Sequence, residues 1–192
     1  MSDNVYGVIP QTGNRGRKAV VVSADKFEDM ELYVPVFRLI EAGWRVDIAA
    51  PAPGKITGES NWYYVIANKS IADIDPDDYD LLIVPGGSPN GAPATIRANK
   101  QAQAIAQSFF RHNKPVAAIC HGPWLLADAD LVRGRKLTSY WKDGVPETIT
   151  AAGGEWIDQP VVVDGNLVTS RWPMDLAAFN RAMMNLVGVG AS

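Results

Sequence analysis

Apolar and polar positions along this chain follow two rhythms in turn. "KAVVVSA", Lys18 to Ala24, is a short apolar run rich in β-branched residues, followed by a loop and a helical pattern. In that pattern Met30, Tyr33, Val34, Phe37 and Ile40 share one face. Pro35 predicts that this helix begins late, with the proline near its first turn. "WRVDIAAP", "YDLLIVPGG" and "PVAAI" read as further strands. Residues 99–112 form a second helix closed by "HNKP", and "HGPWLLADA" opens another. In "EWIDQPVVVDGNLVTSRW" two β-rich runs flank Asp164-Gly165-Asn166, a hairpin turn. A closing helix from about Asp175 to Leu186 sets Leu176, Phe179, Met183 and Leu186 along one stripe. Strands apolar throughout, alternating with helices, predict an α/β fold: a mostly parallel sheet covered on both faces, with a small antiparallel C-terminal annex.

Composition narrows the picture. At 192 residues, one domain over 18–192 is the expectation, preceded by a flexible polar extension, 1–17. The net charge of -3 gives no electrostatic case for nucleic acid or an acidic membrane surface. No apolar run approaches the ~20 residues of a membrane helix. The single cysteine cannot form an intrachain disulfide, which points to a reducing, cytoplasmic setting.

That cysteine, Cys120, follows "PVAAI" directly and precedes His121, Gly122 and Pro123. In a parallel sheet the loops leaving the C-terminal strand ends gather at one rim, where ligands bind. Cys120 at a sharp strand-to-helix turn is pushed outward beside unpaired helix amides, which favour a thiolate. A lone cysteine is ordinarily a small buried hydrophobe; at this junction reactivity is the expectation. The His121 amide is placed to donate to an oxyanion, and Gly86 and Gly87 leave room for a second N–H. Glu28, after the first strand, reads equally as a helix-start carboxylate or as a protonated partner for the sulfur. His112 reads as a helix-end residue. No metal-ligand spacing is present, and neither a dinucleotide fingerprint nor a Walker lysine follows the Gly pair, so no metal or cofactor is expected.

"FEDMEL", "LLIVPGG", "AAICHGPWLL", "RGRKLTSY", "VVVDGNLVTSR" and "PMDL", in this order, resemble the PfpI family of intracellular cysteine peptidases, general stress proteins and protein deglycases. The resemblance runs from about Lys18 to Val187. It implies a flavodoxin-like three-layer sandwich that forms homodimers or higher oligomers. It also implies that Cys120 is the nucleophile, Glu28 its protonated partner and His121 the neighbouring base, with Gly87 and His121 supplying the oxyanion amides. Peptidase-type members carry a glutamate after the Gly-Gly loop that reaches from a neighbouring subunit to orient the histidine. The matching position here is Ala94, with Asn90 the nearest polar substitute, so efficient peptide cleavage is not expected. Trp124, Trp141 and Trp172 would narrow the cleft if they line the rim.

The reading that follows is a cysteine-dependent stress-protection enzyme acting on small carbonyl compounds or glycation adducts. The alternatives are a non-enzymatic oxidative-stress sensor through Cys120 oxidation and an intracellular cysteine peptidase.

Overall fold

The computed structural model describes residues 7–12 and 16–188. The chain runs β1 (Lys18–Val22), α1 (Asp29–Glu41), β2 (Arg45–Ala50), β3 (Gly54–Thr57), β4 (Tyr64–Ala67), β5 (Lys69–Ser70) and β6 (Leu81–Val84). It continues through α2 (Ala92–Ala98), α3 (Lys100–Arg111), β7 (Val116–Ile119), α4 (Pro123–Asp128), β8 (Lys136–Leu137) and α5 (Val145–Ala151). β9 (Glu155–Trp156), β10 (Val161–Asp164), β11 (Leu167–Ser170) and α6 (Leu176–Leu186) complete it.

The main sheet has the order β10-β11-β7-β6-β1-β2-β5. Every pairing in it is parallel except that of β10 with β11. β6, β7 and β11 are buried at every position, and β1 at all but Lys18, as expected of strands covered on both faces. The expected antiparallel annex is this single edge strand, with β11 itself inside the parallel array. From β1 the chain crosses to β2 on one side, and from β6 to β7 on the other. Right-handed crossovers therefore put α1 and α3 on opposite faces, giving the flavodoxin-like sandwich. The order reverses between β1 and β6, and a crevice forms where strand order reverses.

Two expectations need correction. α1 starts at Asp29, and Pro35 lies well inside it, costing Glu31 its carbonyl's usual donor. The buried stripe is Glu31, Leu32, Pro35, Val36 and Leu39. Met30, Val34 and Phe37, which the sequence sets on one shared face, lie outside that stripe and are 46%, 39% and 51% exposed. α1 is apolar on two sides, so periodicity admits two stripes, and the sheet takes the one built on Leu32, Val36 and Leu39. The N-terminal extension is also not wholly a solvated tail. Ile9 is buried, the Gly7 carbonyl accepts from Ile66 N–H at 2.9 Å, and Gln11 Nε2 donates to Val46 O at 2.7 Å. The rest of its expected flexible part, residues 1–6 and 13–15, lies outside the described residues. The β3–β4 hairpin, which the alternation pattern does not announce, carries Glu59 at its turn.

Candidate active site

Cys120 follows the last residue of β7 with φ of 62°, the left-handed region that costs a non-glycine residue about 1–2 kcal/mol. Backbone bonds hold this elbow from two sides: Cys120 N–H donates to Ser170 O at 3.0 Å, and Tyr140 N–H donates to Cys120 O at 2.9 Å. Glycine is required at 122, where a Cβ would stand 2.2 Å from Val84 O. Strain concentrated on a side chain aimed at a crevice is a mark of a working residue.

The crevice is a cavity of about 300 Å³. Cys120, His121, Glu28, Glu31 and Gly87 line it, with Tyr140, Asp143 and Trp172 on its walls. His121 Nδ1 lies 3.2 Å from Cys120 Sγ, and its Nε2 lies 2.9 Å from Asp143 Oδ2. A carboxylate can only accept, so Nε2 carries the proton and Nδ1 faces the sulfur as the basic nitrogen. Burial lowers the His121 pKa, and Asp143 partly opposes that. The rings of Trp124 and Tyr140 pack 5.0 and 4.9 Å from the imidazole.

Asp143 overturns the expectation that the histidine lacks an orienting acid. Ala94 sits on α2, Asn90 is exposed before it, and the acid comes instead from the turn preceding α5 in the same chain. Twenty-two residues separate Asp143 from His121. No local spacing rule joins them, and "WKDG" reads only as a turn.

The carboxyl against the sulfur is Glu31's. Its side chain is fully buried, Oε2 accepts from Gly86 N–H at 2.9 Å, and its carboxyl and the Cys120 thiol are coupled electrostatically. Among the described residues no donor reaches Oε1, the oxygen left to carry a proton. Burial above all, with Glu28 second, pushes Glu31 well above the usual carboxylate range. Glu28 lines the same cavity, and burial raises its pKa to about 7. Its Oε2, however, caps α1 by accepting from Glu31 N–H at 2.7 Å. By contact, the carboxyl beside the sulfur is that of Glu31, one turn on from Glu28, and both line the cavity. The available signal was that Glu31 is the charged residue in line with the buried stripe.

The expected depression of the thiol pKa is also corrected. Burial, then the Glu31 charge, push Cys120 well above its ordinary value, while the His121 amide pulls the other way. α4 is six residues long, and its terminus does not outweigh burial. Cys120 is 6% exposed, so the thiol reaches solvent only through the cavity.

Gly87 has φ of 142°, and a Cβ there would meet Lys26 O at 2.2 Å. Glu28 N–H and Ser88 N–H bond across to Gly86 O and Lys26 O. Among the described residues the Gly87 amide has no backbone acceptor, which leaves it for a ligand. Of the tryptophans, Trp172 lines the cavity, Trp141 packs on it with ring centroids 5.3 Å apart, and Trp124 is buried behind His121. His112 caps α3. Among the described residues no cluster of three or more His, Cys, Asp or Glu could hold a metal, and no helix is long and apolar enough to cross a membrane.

The chain is similar to known proteins over most of its length. The chain is 45% identical over 170 residues to Deglycase PfpI of Pyrococcus furiosus, covering 88% of this chain and 99% of that one. It is 40% identical over 174 residues to Protein/nucleic acid deglycase 2 of Escherichia coli, covering 90% and 98%. Among solved structures, a two-domain protein with DJ-1/ThiJ/PfpI-like and ferritin-like domains from Anabaena variabilis superposes with a TM-score of 0.86 at 31% identity. That match covers 91% of this chain and 49% of the longer one. The DJ-1/PfpI family pattern matches residues 17–186, and the chain belongs to that family.

Proposed function

We propose that this protein is a cysteine-dependent enzyme of stress protection that acts on small carbonyl compounds and on their early adducts with amino and thiol groups. The observation that carries the reading is the Sγ–Nδ1–Nε2–Asp143 line, 3.2 and 2.9 Å, opening into a cavity of about 300 Å³. Relatives named as deglycases, aligned over most of both chains, support it.

With methylglyoxal the steps balance without an external oxidant. His121 Nδ1 takes the Cys120 proton, and the sulfur adds to the aldehyde carbon. The oxygen becomes an oxyanion held by the Gly87 and His121 amides, then takes a proton to give a hemithioacetal. A base removes the proton from the former aldehyde carbon, the neighbouring ketone carbon is reprotonated, and a thioester results. Water hydrolyses it to lactate and frees Cys120. The sum is methylglyoxal plus water giving lactate. Glu31, protonated beside the sulfur, keeps a second negative charge out of the cavity. For an adduct on an amine or thiol, the bond from the hydroxyl-bearing carbon to nitrogen or sulfur breaks first, the hydroxyl proton passes to the departing group, and the aldehyde so freed takes the same addition. Lactate formation that vanishes in Cys120→Ser supports the reading, and no turnover of any dicarbonyl or glycated substrate ends it.

Peptide cleavage regains an orienting acid through Asp143, so its absence no longer counts against that reading. Cavity size does: about 300 Å³ flanked by Trp172 and Pro173 is a poor fit to an extended polypeptide. Casein should remain intact. For the homo-oligomer implied by the family, the exposed apolar face of α1 at Met30, Val34 and Phe37 is the surface we propose.

A further inference from the structure

The cavity around Cys120 has a pronounced charge pattern. Among the described residues four carboxyl side chains line it, Glu28, Glu31, Glu59 and Asp143, and no lysine or arginine does. They arrive from three places, the start of α1 (Glu28 and Glu31), the β3–β4 turn and the turn before α5, so the pattern is not one acidic stretch. Glu59 stands at the β3–β4 turn, where its N–H donates to Phe27 O at 2.8 Å. Its Oε2 accepts from Ser88 Oγ at 3.4 Å, and from none of the reacting side chains.

Two further features point to what would sit there. Tyr140 and Trp172 present aromatic rings to the cavity, and Trp141 braces both, 4.8 Å from Tyr140 and 5.3 Å edge-on from Trp172. Glu31 also lines the cavity, and its Oε1 is wholly buried with no partner among the described residues. Carrying its proton, it adds no charge, and an anion entering the cavity would meet the carboxylates of Glu28, Glu59 and Asp143. The carboxylates also repel one another: the Glu59 charge raises the pKa of both Glu28 and Glu31. A cation entering the cavity relieves that repulsion and gains the aromatic faces as well.

We infer that the cavity selects carbonyl compounds and adducts that carry a positive charge and turns away anionic ones, with Glu59 and Trp172 as its specificity-determining residues. This deepens the carbonyl chemistry proposed above and rests on Cys120 as its centre.

The chain's single cysteine makes the test unambiguous. Methanethiosulfonates bearing a trimethylammonioethyl, a methyl or a sulfonatoethyl group transfer that group to the thiol as a disulfide and release methanesulfinate. Intact mass reports the rate for each, normalised to the same reagent with free cysteine at pH 8. The expected cation-to-anion ratio is about tenfold or more, the equivalent of ~1.4 kcal/mol. It should shrink in Glu59→Gln and approach one in Glu59→Lys, with circular dichroism confirming the fold of each variant. A wild-type ratio near one, or a ratio that Glu59→Lys leaves unchanged, overturns the inference. Lactate formation is read in parallel. Turnover without labelling preference removes the charge selection alone, while preference without turnover removes the proposed reaction and leaves the selection standing.

Discussion

Replacing Asp143 with asparagine keeps its volume and exchanges a carboxylate for an amide, which makes it a sharp probe of the His121 line. The Asp143 carboxylate accepts from Nε2–H at 2.9 Å, leaving Nδ1 unprotonated toward sulfur. An asparagine amide that donates to Nε2 would reverse the tautomer and point a proton at the sulfur instead. When His121 takes the thiol proton it becomes an imidazolium paired with the Asp143 carboxylate. A unit pair near 4 Å is worth about 4 kcal/mol at an effective dielectric near 20. The Asp143 side chain is 40% exposed, and solvent screening reduces that to about 2 kcal/mol. The loss corresponds to about 30-fold in kcat, and the tautomer reversal deepens it toward the ~10⁴ of a buried aspartate in a serine-protease triad. The assay is lactate formation across pH. Asp143 contributes the interactions that raise the His121 pKa, so removing it leaves burial alone and moves the histidine limb of the profile to lower pH. A fall of less than about threefold, with the limb unmoved, would refute the reasoning.

Glu31→Gln removes a carboxyl whose folded-state pKa lies well above its unfolded value. A raised acid stabilises fully below the unfolded pKa, and that stability is lost as pH rises through the folded pKa. The Tm of the variant relative to wild type should therefore rise between pH 5 and pH 9; a constant difference would mean Glu31 stays ionised. Gly86→Ala would press a methyl to 2.6 Å from both Cys120 Cβ and Glu31 Oε2, so activity should fall at least tenfold, and a fully active variant would contradict that packing. Phe37→Glu, on the exposed face of α1, should lower the mass seen by light scattering to that of one chain; an unchanged oligomer would place the interface elsewhere.

Much of this molecule was legible in its sequence, because buried parallel strands announce themselves. "AVVV", "LLIV" and "VAAI" each became a central strand, and the residues following β6 and β7 became the cavity's glycine loop and its cysteine elbow. α1 was harder to read. Its two apolar faces gave periodicity no way to choose which one the sheet covers, and nothing in the spacing of Glu28, Asp29 and Glu31 says which carboxyl stands beside the sulfur. Asp143 was out of reach altogether. Its contact with His121 depends on how the β7–α4 elbow and the turn before α5 fold together, and a lone Asp-Gly turn carries no mark of a partner twenty-two residues away. The thiol's acidity was misjudged because burial, a tertiary property, outweighs the short helix that follows.

The central claim is that Cys120 forms a covalent bond to substrate carbon during turnover. Intact-mass spectrometry of protein quenched at intervals after mixing with methylglyoxal tests it directly. The account predicts one equivalent of adduct, mapped to Cys120, that rises and decays with lactate formation and never forms in Cys120→Ser. Lactate produced at an undiminished rate by Cys120→Ser, or by wild type with no adduct on the sulfur, would contradict it.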